Sequence, residues 1–197
     1  MFIIKNKYFL IIENIKDINL YNIKRSNKFI IIYRNNKINQ DLNKLKKFRT
    51  TCKSKSIKFF IANNLKLATL LHADGIYLSS HNKTFKHLNL INFKFKTIGS
   101  AHNAKEINLK IKQCCNYIFL SKLFLVDYNK SASVLGIIKF NYYRQSIFNK
   151  LIPLGGIKYN NLNYLKCVNS DGLALKSEVK KKPAITCLLY TSPSPRD

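Results

Sequence analysis

Short runs of apolar residues recur along the chain, and each is about as long as one β-strand. They are rich in Ile, Phe, Leu and Tyr and are separated by polar segments, the pattern that strands give in a sequence. Eight such runs can be counted: Tyr8–Ile12, Phe29–Tyr33, Ile57–Ala62, Gly75–Leu78, Lys96–Ile98, Tyr117–Leu120, Leu151–Leu154 and Gly172–Leu175. We therefore predict eight β-strands.

Helical spacing appears between these runs. Asp41-Leu42, Leu45 and Phe48 share one face of a helix. A second helix is predicted where Ile107, Ile111 and Cys114-Cys115 share a face. It starts at His102-Asn103, and Glu106 follows three residues later, where a capping box places its acidic residue.

Strands that alternate with helices indicate βα units and a parallel sheet, and eight units suggest a closed barrel. We predict a compact, single-domain (β/α)8 TIM barrel over residues 1–182. The alternative is an open doubly wound sheet, although no GxGxxG follows the first strand. Glu178–Lys182 ends at Pro183, so the last helix is expected to be truncated. Residues 183–197 are expected to be a disordered, non-native tail.

Two of the predicted strands run into turns that expose the backbone. Leu151–Ile157 contains Gly155 and Gly156, whose missing Cβ atoms would let a ligand approach their amides. About one βα unit later, the second strand ends at Lys176 and Ser177, a positive charge and a hydroxyl. Two successive loops of this kind at the end of a parallel barrel predict a phosphate site.

A net charge of +26 is typical of proteins that bind nucleic acid. However, 30 Lys, 24 Asn and 25 Ile are spread through all segments, while Arg numbers only five. A surface selected for nucleic acid favours arginine, so a coding bias toward A and T explains the charge more simply. We therefore disfavour nucleic acid as a partner.

Cysteine use and hydropathy indicate a cytoplasmic protein without a membrane span. No apolar run approaches the ~18 residues that a membrane helix needs, and no secretory signal is visible. The five cysteines have no metal-ligand spacing, and we interpret them as reduced, small hydrophobes.

In order and spacing, the segments resemble the thiamine phosphate synthase family and its thiazole tautomerase (TenI-like) branch. The resemblance covers about residues 7–178. Phe60–Ala68 is similar to the family's Ile-Asn-Asp-Arg-x-Asp-x-Ala, and Ala73–Leu78 to its Ala-Asp-Gly-Val-His-Leu. The other matching segments are Phe29–Asn36, Ile98–Asn103, Asn116–Leu120 and the two phosphate loops.

The resemblance implies a transferase of thiamine biosynthesis. The family joins aminopyrimidine methyl pyrophosphate to thiazole phosphate, giving thiamine phosphate and pyrophosphate. Pyrophosphate leaves first, and the thiazole nitrogen attacks the resulting pyrimidine carbocation. The implied partners are therefore phosphorylated thiamine precursors. The implied cofactor is Mg²⁺, which we expect to arrive with the pyrophosphate substrate.

The resemblance also implies roles for individual residues. Arg34 matches the pyrophosphate-side arginine, and Lys130 can stand for the lysine of the loop after the sixth strand. These two are the candidate catalytic residues. The candidate substrate-binding residues are Asn63, Asn64, Ser100, Lys122, Gly155, Gly156, Lys176 and Ser177.

Metal and histidine positions depart from the family pattern. The two family magnesium aspartates fall on Asn64 and on Asn82 or His81, so both carboxylates are replaced. Asp127 is the one acid that we expect near the site. His102 matches a family histidine, and we interpret it as a helix cap. We expect His72, His81 and His87 to lie on the surface.

Three hypotheses follow for function. The first is a thiamine phosphate synthase-like transferase. The second is a protein of the same fold that binds a phosphorylated ligand without synthase activity, which the missing carboxylates favour. Lys122 stands where the tautomerase branch has its catalytic histidine, which argues against tautomerase chemistry. The third, a basic RNA-binding protein, lacks the expected arginine clusters.

Overall fold

The fold was obtained as a computed structural model, which describes residues 5–23, 26–35, 41–93, 95–126, 133–147 and 150–181. Eight parallel strands close into a barrel in sequence order. They are β1 (Lys7–Ile12), β2 (Phe29–Tyr33), β3 (Lys58–Ala62), β4 (Gly75–Leu78), β5 (Lys96–Ala101), β6 (Tyr117–Ser121), β7 (Lys150–Leu154) and β8 (Gly172–Leu175). Each of the eight predicted strands is confirmed, and the doubly wound alternative is wrong because β8 pairs with β1.

Helical segments connect the strands. The α-helices are α1 (Leu42–Ser54), α2 (Leu65–Leu70), α3 (Ala104–Lys112), α4 (Gly136–Ser146) and α5 (Ser177–Lys181). The connections after β1, β4 and β7 contain 3₁₀ helices instead: Ile15–Asp17 and Leu20–Asn22, then Lys86–Phe93, then Tyr159–Cys167. A further 3₁₀ turn, Ser26–Lys28, leads into β2. These short connections explain how a full barrel fits into so few residues.

Both predicted α-helices form, and each has a side-chain cap. Asp41 accepts a hydrogen bond from the Lys44 amide at the start of α1. At the start of α3 the cap is Asn103, whose Oδ1 accepts from the Glu106 amide at 2.9 Å. The predicted cap, His102, lies one residue earlier, and its amide donates to the Glu106 carboxylate at 2.7 Å. α5 is described over Ser177–Lys181, and the predicted tail, residues 183–197, lies outside the described residues.

The core has two layers, because each strand is buried on both faces. Phe9 and Ile11 of β1 point into the barrel interior, whereas Leu10 and Ile12 face the surrounding helices. Aromatic rings fill the interior, with the Phe9 and Phe119 centroids 5.0 Å apart. The interior is therefore packed, and a ligand site has to lie at one end of the barrel.

Of the cysteines that the structure describes, two are buried and two are exposed. Cys52 and Cys115 are buried, and burial raises the pKa of both thiols to about 12, which fits inert hydrophobes. Cys114 and Cys167 are exposed free thiols.

None of the helices in the described part of the chain is both long enough and apolar enough to span a bilayer.

Candidate functional site

A cavity of about 610 Å³ opens at the carboxyl ends of the strands. Tyr77 of β4 and Ala174 of β8 lie among the residues that line it, together with residues of the loops after β2, β4, β5, β6, β7 and β8. Its polar and charged lining comprises Arg34, Ser79, Ser80, His81, Ser100, His102, Ser121, Lys122, Lys158, Lys176, Ser177 and Glu178. The cavity occupies the end of a parallel barrel where βα loops converge.

Positive charge dominates this lining. Arg34, Lys122, Lys158 and Lys176 approach the cavity from β2, β6, β7 and β8. The structure thus brings Arg34 and Lys122 together although they are far apart in the chain. Lys130 and Asp127 lie outside the described residues. Four basic side chains around one cavity favour an anionic ligand.

The two loops predicted to bind phosphate meet at the same wall. Gly155, Gly156, Lys176 and Ser177 all line the cavity. The Lys176 ammonium lies 3.1 Å from the carboxylate of Glu13, which follows β1. Lys176 is therefore held in an ion pair beside the loops.

Gly156 has a structural role that the sequence argument did not foresee. Its φ is +70°, and a Cβ there would lie 2.3 Å from the backbone carbonyl oxygen of Phe124. The β7 loop consequently packs directly on the loop after β6. A substitution at Gly156 would disturb this packing, so ligand binding cannot be tested cleanly at that position.

We expect Gly156→Ala to lower the free energy of unfolding by about 1–3 kcal/mol, through positive φ and collision with Phe124. Gly136→Ala is the matched control, because Gly136 has φ +72° but no heavy atom lies within 4 Å of the place that its Cβ would occupy. Thermal unfolding of both variants measures the difference. Equal losses would show that Phe124 moves away at no cost.

Two further pairs of polar residues line the cavity, Tyr77 with Ser100 and His102 with Ser121. Tyr77 hydrogen-bonds Ser100, and burial raises the pKa of the Tyr77 phenol, so it remains protonated. The Ser121 hydroxyl lies 2.9 Å from Nδ1 of His102. The His102 ring thus lines the cavity, whereas the sequence interpretation gave it a capping role alone.

Asn63, Asn64 and Asn82 lie beside the cavity, outside its lining. The Asn63 side-chain oxygen accepts from the Ser79 amide at 3.0 Å and from the Asn82 side chain at 3.1 Å. Asn64 caps α2 by accepting from the Leu67 amide at 2.9 Å. These oxygens already have protein donors. Within the described ranges, no group of three or more His, Cys, Asp or Glu residues could hold a metal ion.

A buried lysine holds the loop after β4. Lys110 of α3 is fully buried, and its ammonium donates to the carbonyl oxygens of Ser79 and Asn82, both at 2.8 Å. It also donates to Oε1 of Gln113 at 2.9 Å. Burial lowers the pKa of Lys110. Because Ser79, Ser80 and His81 line the cavity, Lys110 positions part of its wall.

His87 belongs to the same buried network. It was expected on the surface, but it is 2% exposed and its Nε2 lies 2.9 Å from the Gln113 carbonyl oxygen. The expectation was wrong because no periodicity marks the 3₁₀ segment Lys86–Phe93, in which His87 alone of residues 86–89 is buried. His72 and His81 are exposed, as expected.

Glu178 is a cavity residue that the sequence analysis missed. It is the second residue of α5, only 6% exposed, and it lines the cavity beside Ser177. The expectation that Asp127 would be the one acid near the site is therefore wrong. Sequence offered a weak signal, namely an acid directly after the predicted phosphate-binding serine.

Comparisons with known proteins place these features in context. A family model described as thiamine monophosphate synthase matches residues 20–179. The chain is 30% identical to a thiamine-phosphate synthase of Prochlorococcus marinus (strain AS9601), over 66% of this chain and 38% of that protein. It is 23% identical to a thiamine-phosphate synthase of Clostridioides difficile (strain 630), over 74% of this chain and 70% of that protein. The chain thus spans about two fifths of the Prochlorococcus relative's length.

A solved structure supports the architecture. Thiamine phosphate pyrophosphorylase from Pyrococcus furiosus superposes with a TM-score of 0.74, at 17% identity, over 94% of this chain and 93% of that one. At this identity the likeness concerns the fold. The predicted TIM barrel is therefore confirmed both by strand topology and by superposition.

Proposed function

Because the chain belongs to the thiamine monophosphate synthase family, we propose that it is a transferase condensing aminopyrimidine methyl pyrophosphate with thiazole phosphate. The observation that carries the proposal is one cavity with both parts that this reaction needs. Arg34 and Lys122 offer charge for a pyrophosphate, and the loops at Gly155-Gly156 and Ser177 offer a place for a phosphate. The family match and the barrel support the same assignment.

The cationic lining suits a reaction in which the leaving group carries the developing charge. When pyrophosphate departs, positive side chains that are already in place stabilise it without reorganising. The remaining contribution of the protein is to hold the thiazole nitrogen near the pyrimidine carbon, which turns a bimolecular step into a local one. Arg34 and, from the sequence, Lys130 are our candidates for stabilising the pyrophosphate.

The positions that correspond to the family's magnesium aspartates do not fit a metal held by the protein. Asn64 and Asn82 contribute no charge, and the Asn64 oxygen is occupied by its helix cap. The Asn82 side-chain oxygen accepts from the amide and the hydroxyl of Thr84, both at 3.0 Å. Mg²⁺ prefers anionic oxygen ligands, so we propose that any Mg²⁺ enters with the substrate pyrophosphate.

We expect the ligand-free protein to bind Mg²⁺ more weakly than about 1 mM, and Asn64→Asp to strengthen this binding. Aspartate is as good a helix cap as asparagine, so α2 should tolerate the change. Asn43→Asp on the exposed surface of α1 controls for added negative charge. Calorimetric titration with MgCl₂ provides the measurement. Tight, stoichiometric binding by the unmodified protein would contradict our interpretation of these positions.

The proposal is tested by incubating purified protein with both substrates and measuring thiamine phosphate by chromatography. Complementation of a strain lacking thiamine phosphate synthase gives an independent test. Product formation that depends on both substrates is expected. Ser177→Ala should raise KM for thiazole phosphate, whereas Ser146→Ala at the exposed end of α4 should not. Binding of thiazole phosphate without product would favour the alternative, a phosphate-ligand-binding protein lacking synthase activity.

A further inference from the structure

A buried carboxylate stands in the wall where the phosphate is proposed to bind. Glu178 is 6% exposed and follows Ser177 directly. Its Oε2 is shielded from solvent and has no hydrogen-bond partner among the residues that the structure describes. Burying a polar atom without a partner is unfavourable, and native proteins satisfy nearly all such atoms. Because Glu178 lines the cavity, a ligand that donates a hydrogen bond to its carboxylate would remove this cost.

Among the residues whose side chains the structure describes, no basic residue forms a salt bridge with this carboxylate. Lys176, two residues before Glu178, forms its ion pair with Glu13 instead. Among the described residues that line the cavity, Glu178 is the sole acid, while Arg34, Lys122, Lys158 and Lys176 are basic. The surrounding charge therefore favours an anion, whereas Glu178 requires a hydrogen-bond donor.

An anion that carries its own proton meets both requirements. Protonated phosphate is negatively charged and has a P–OH group, which can donate to a carboxylate oxygen. Sulfate has similar size and shape but carries no proton near neutral pH. A carboxylate facing sulfate would meet only negative oxygens, which repel it and leave its own oxygen unpaired.

We infer that Glu178 makes this site selective for proton-bearing phosphate over fully deprotonated oxyanions. The inference rests on the proposed function, because it assumes that the phosphate lies at Ser177. It adds a specificity-determining residue at that subsite. It also implies that a phosphate monoester is bound there in its singly protonated form.

The test is calorimetric titration of the full chain with inorganic phosphate and, separately, with sulfate at neutral pH and constant ionic strength. We expect phosphate to bind at least roughly tenfold more tightly than sulfate. Glu178→Gln can donate an N–H to either anion, so it should bring the two affinities within about threefold. Glu178→Asp keeps the carboxylate and should retain a preference for phosphate.

Ser177→Ala is the matched control at the neighbouring position. It should weaken both anions by a similar factor and leave their ratio unchanged, since a hydroxyl can donate to either. Thermal unfolding of each variant shows whether α5 remains in place. A change in the phosphate-to-sulfate ratio is a readout that a general loss of structure would not produce.

The outcomes separate this inference from the proposed function. Equal binding of phosphate and sulfate by the unmodified protein would overturn the role of Glu178 while leaving the phosphate site intact. Failure of both anions to bind would overturn the phosphate site and the inference together. Binding of Mn²⁺ that Glu178→Gln abolishes would identify Glu178 as a cation ligand and also reject the inference.

Discussion

Replacing Arg34 by methionine should lower turnover by a factor of about 100 to 1000, the loss typical of removing one group that stabilises transition-state charge. Arg34 follows β2, and its amide donates to the Ile12 carbonyl oxygen at 2.8 Å, so the backbone that carries it is fixed to the barrel. No ion pair holds its guanidinium within the described part of the chain. Its charge is therefore available to a departing pyrophosphate.

The measurement is steady-state kinetics of the purified variant with both substrates. Methionine keeps much of the side-chain length and removes the charge, so stability should change little. Arg144→Met on α4 is the matched control, because Arg144 contacts the Ile147 carbonyl oxygen and does not line the cavity. Unchanged turnover in Arg34→Met would remove this residue from the reaction. A loss of thermal stability would point to a structural role instead.

The barrel could be predicted because its strands leave a strong signal. Parallel strands are covered on both faces, so each appears as a short, nearly continuous apolar run. Phe29–Tyr33, Gly75–Leu78 and Gly172–Leu175 have the same limits in the sequence prediction and in the structure. Polar connections separate the runs cleanly, and counting them gave the fold class.

The connections after β4 and β7 were less accessible to sequence reasoning. Lys86–Phe93 and Tyr159–Cys167 are 3₁₀ helices, which have no long apolar stripe to recognise. His87 lies in the first of these segments, and its burial was not predicted. Such segments are positioned by tertiary contacts, and a single sequence does not display these.

The cavity was predictable in outline but not in all of its side chains. The resemblance to the family pointed to Arg34, Lys122, Gly156 and Ser177, and all four line the cavity. The place of Glu178 in the cavity wall was not predicted, because its burial depends on how α5 packs on the barrel. The burial of Lys110 was not predicted either, because the sequence alone does not distinguish one buried lysine from the other 29 lysines of the chain.

Lys110→Met should lower the free energy of unfolding by about 3 kcal/mol, because the change leaves buried acceptors without their donor. The ammonium donates hydrogen bonds to two backbone carbonyl oxygens of the loop after β4 and to the Gln113 side chain. Burial opposes its charge, as the lowered pKa shows, so these hydrogen bonds are what keep it in place. Methionine fills the space of the stem and restores none of them.

Chemical denaturation of Lys110→Met measures this loss, and Lys112→Met, two residues away on the exposed side of α3, is the control. For a chain of this size, the loss corresponds to a fall in Tm of roughly 6–12 °C. Substrate KM should rise as well, since the released loop carries Ser79, Ser80 and His81 of the cavity wall. If Lys110→Met proves as stable as Lys112→Met, the carbonyl oxygens must find water or other donors. The lysine would then not be what fixes the wall.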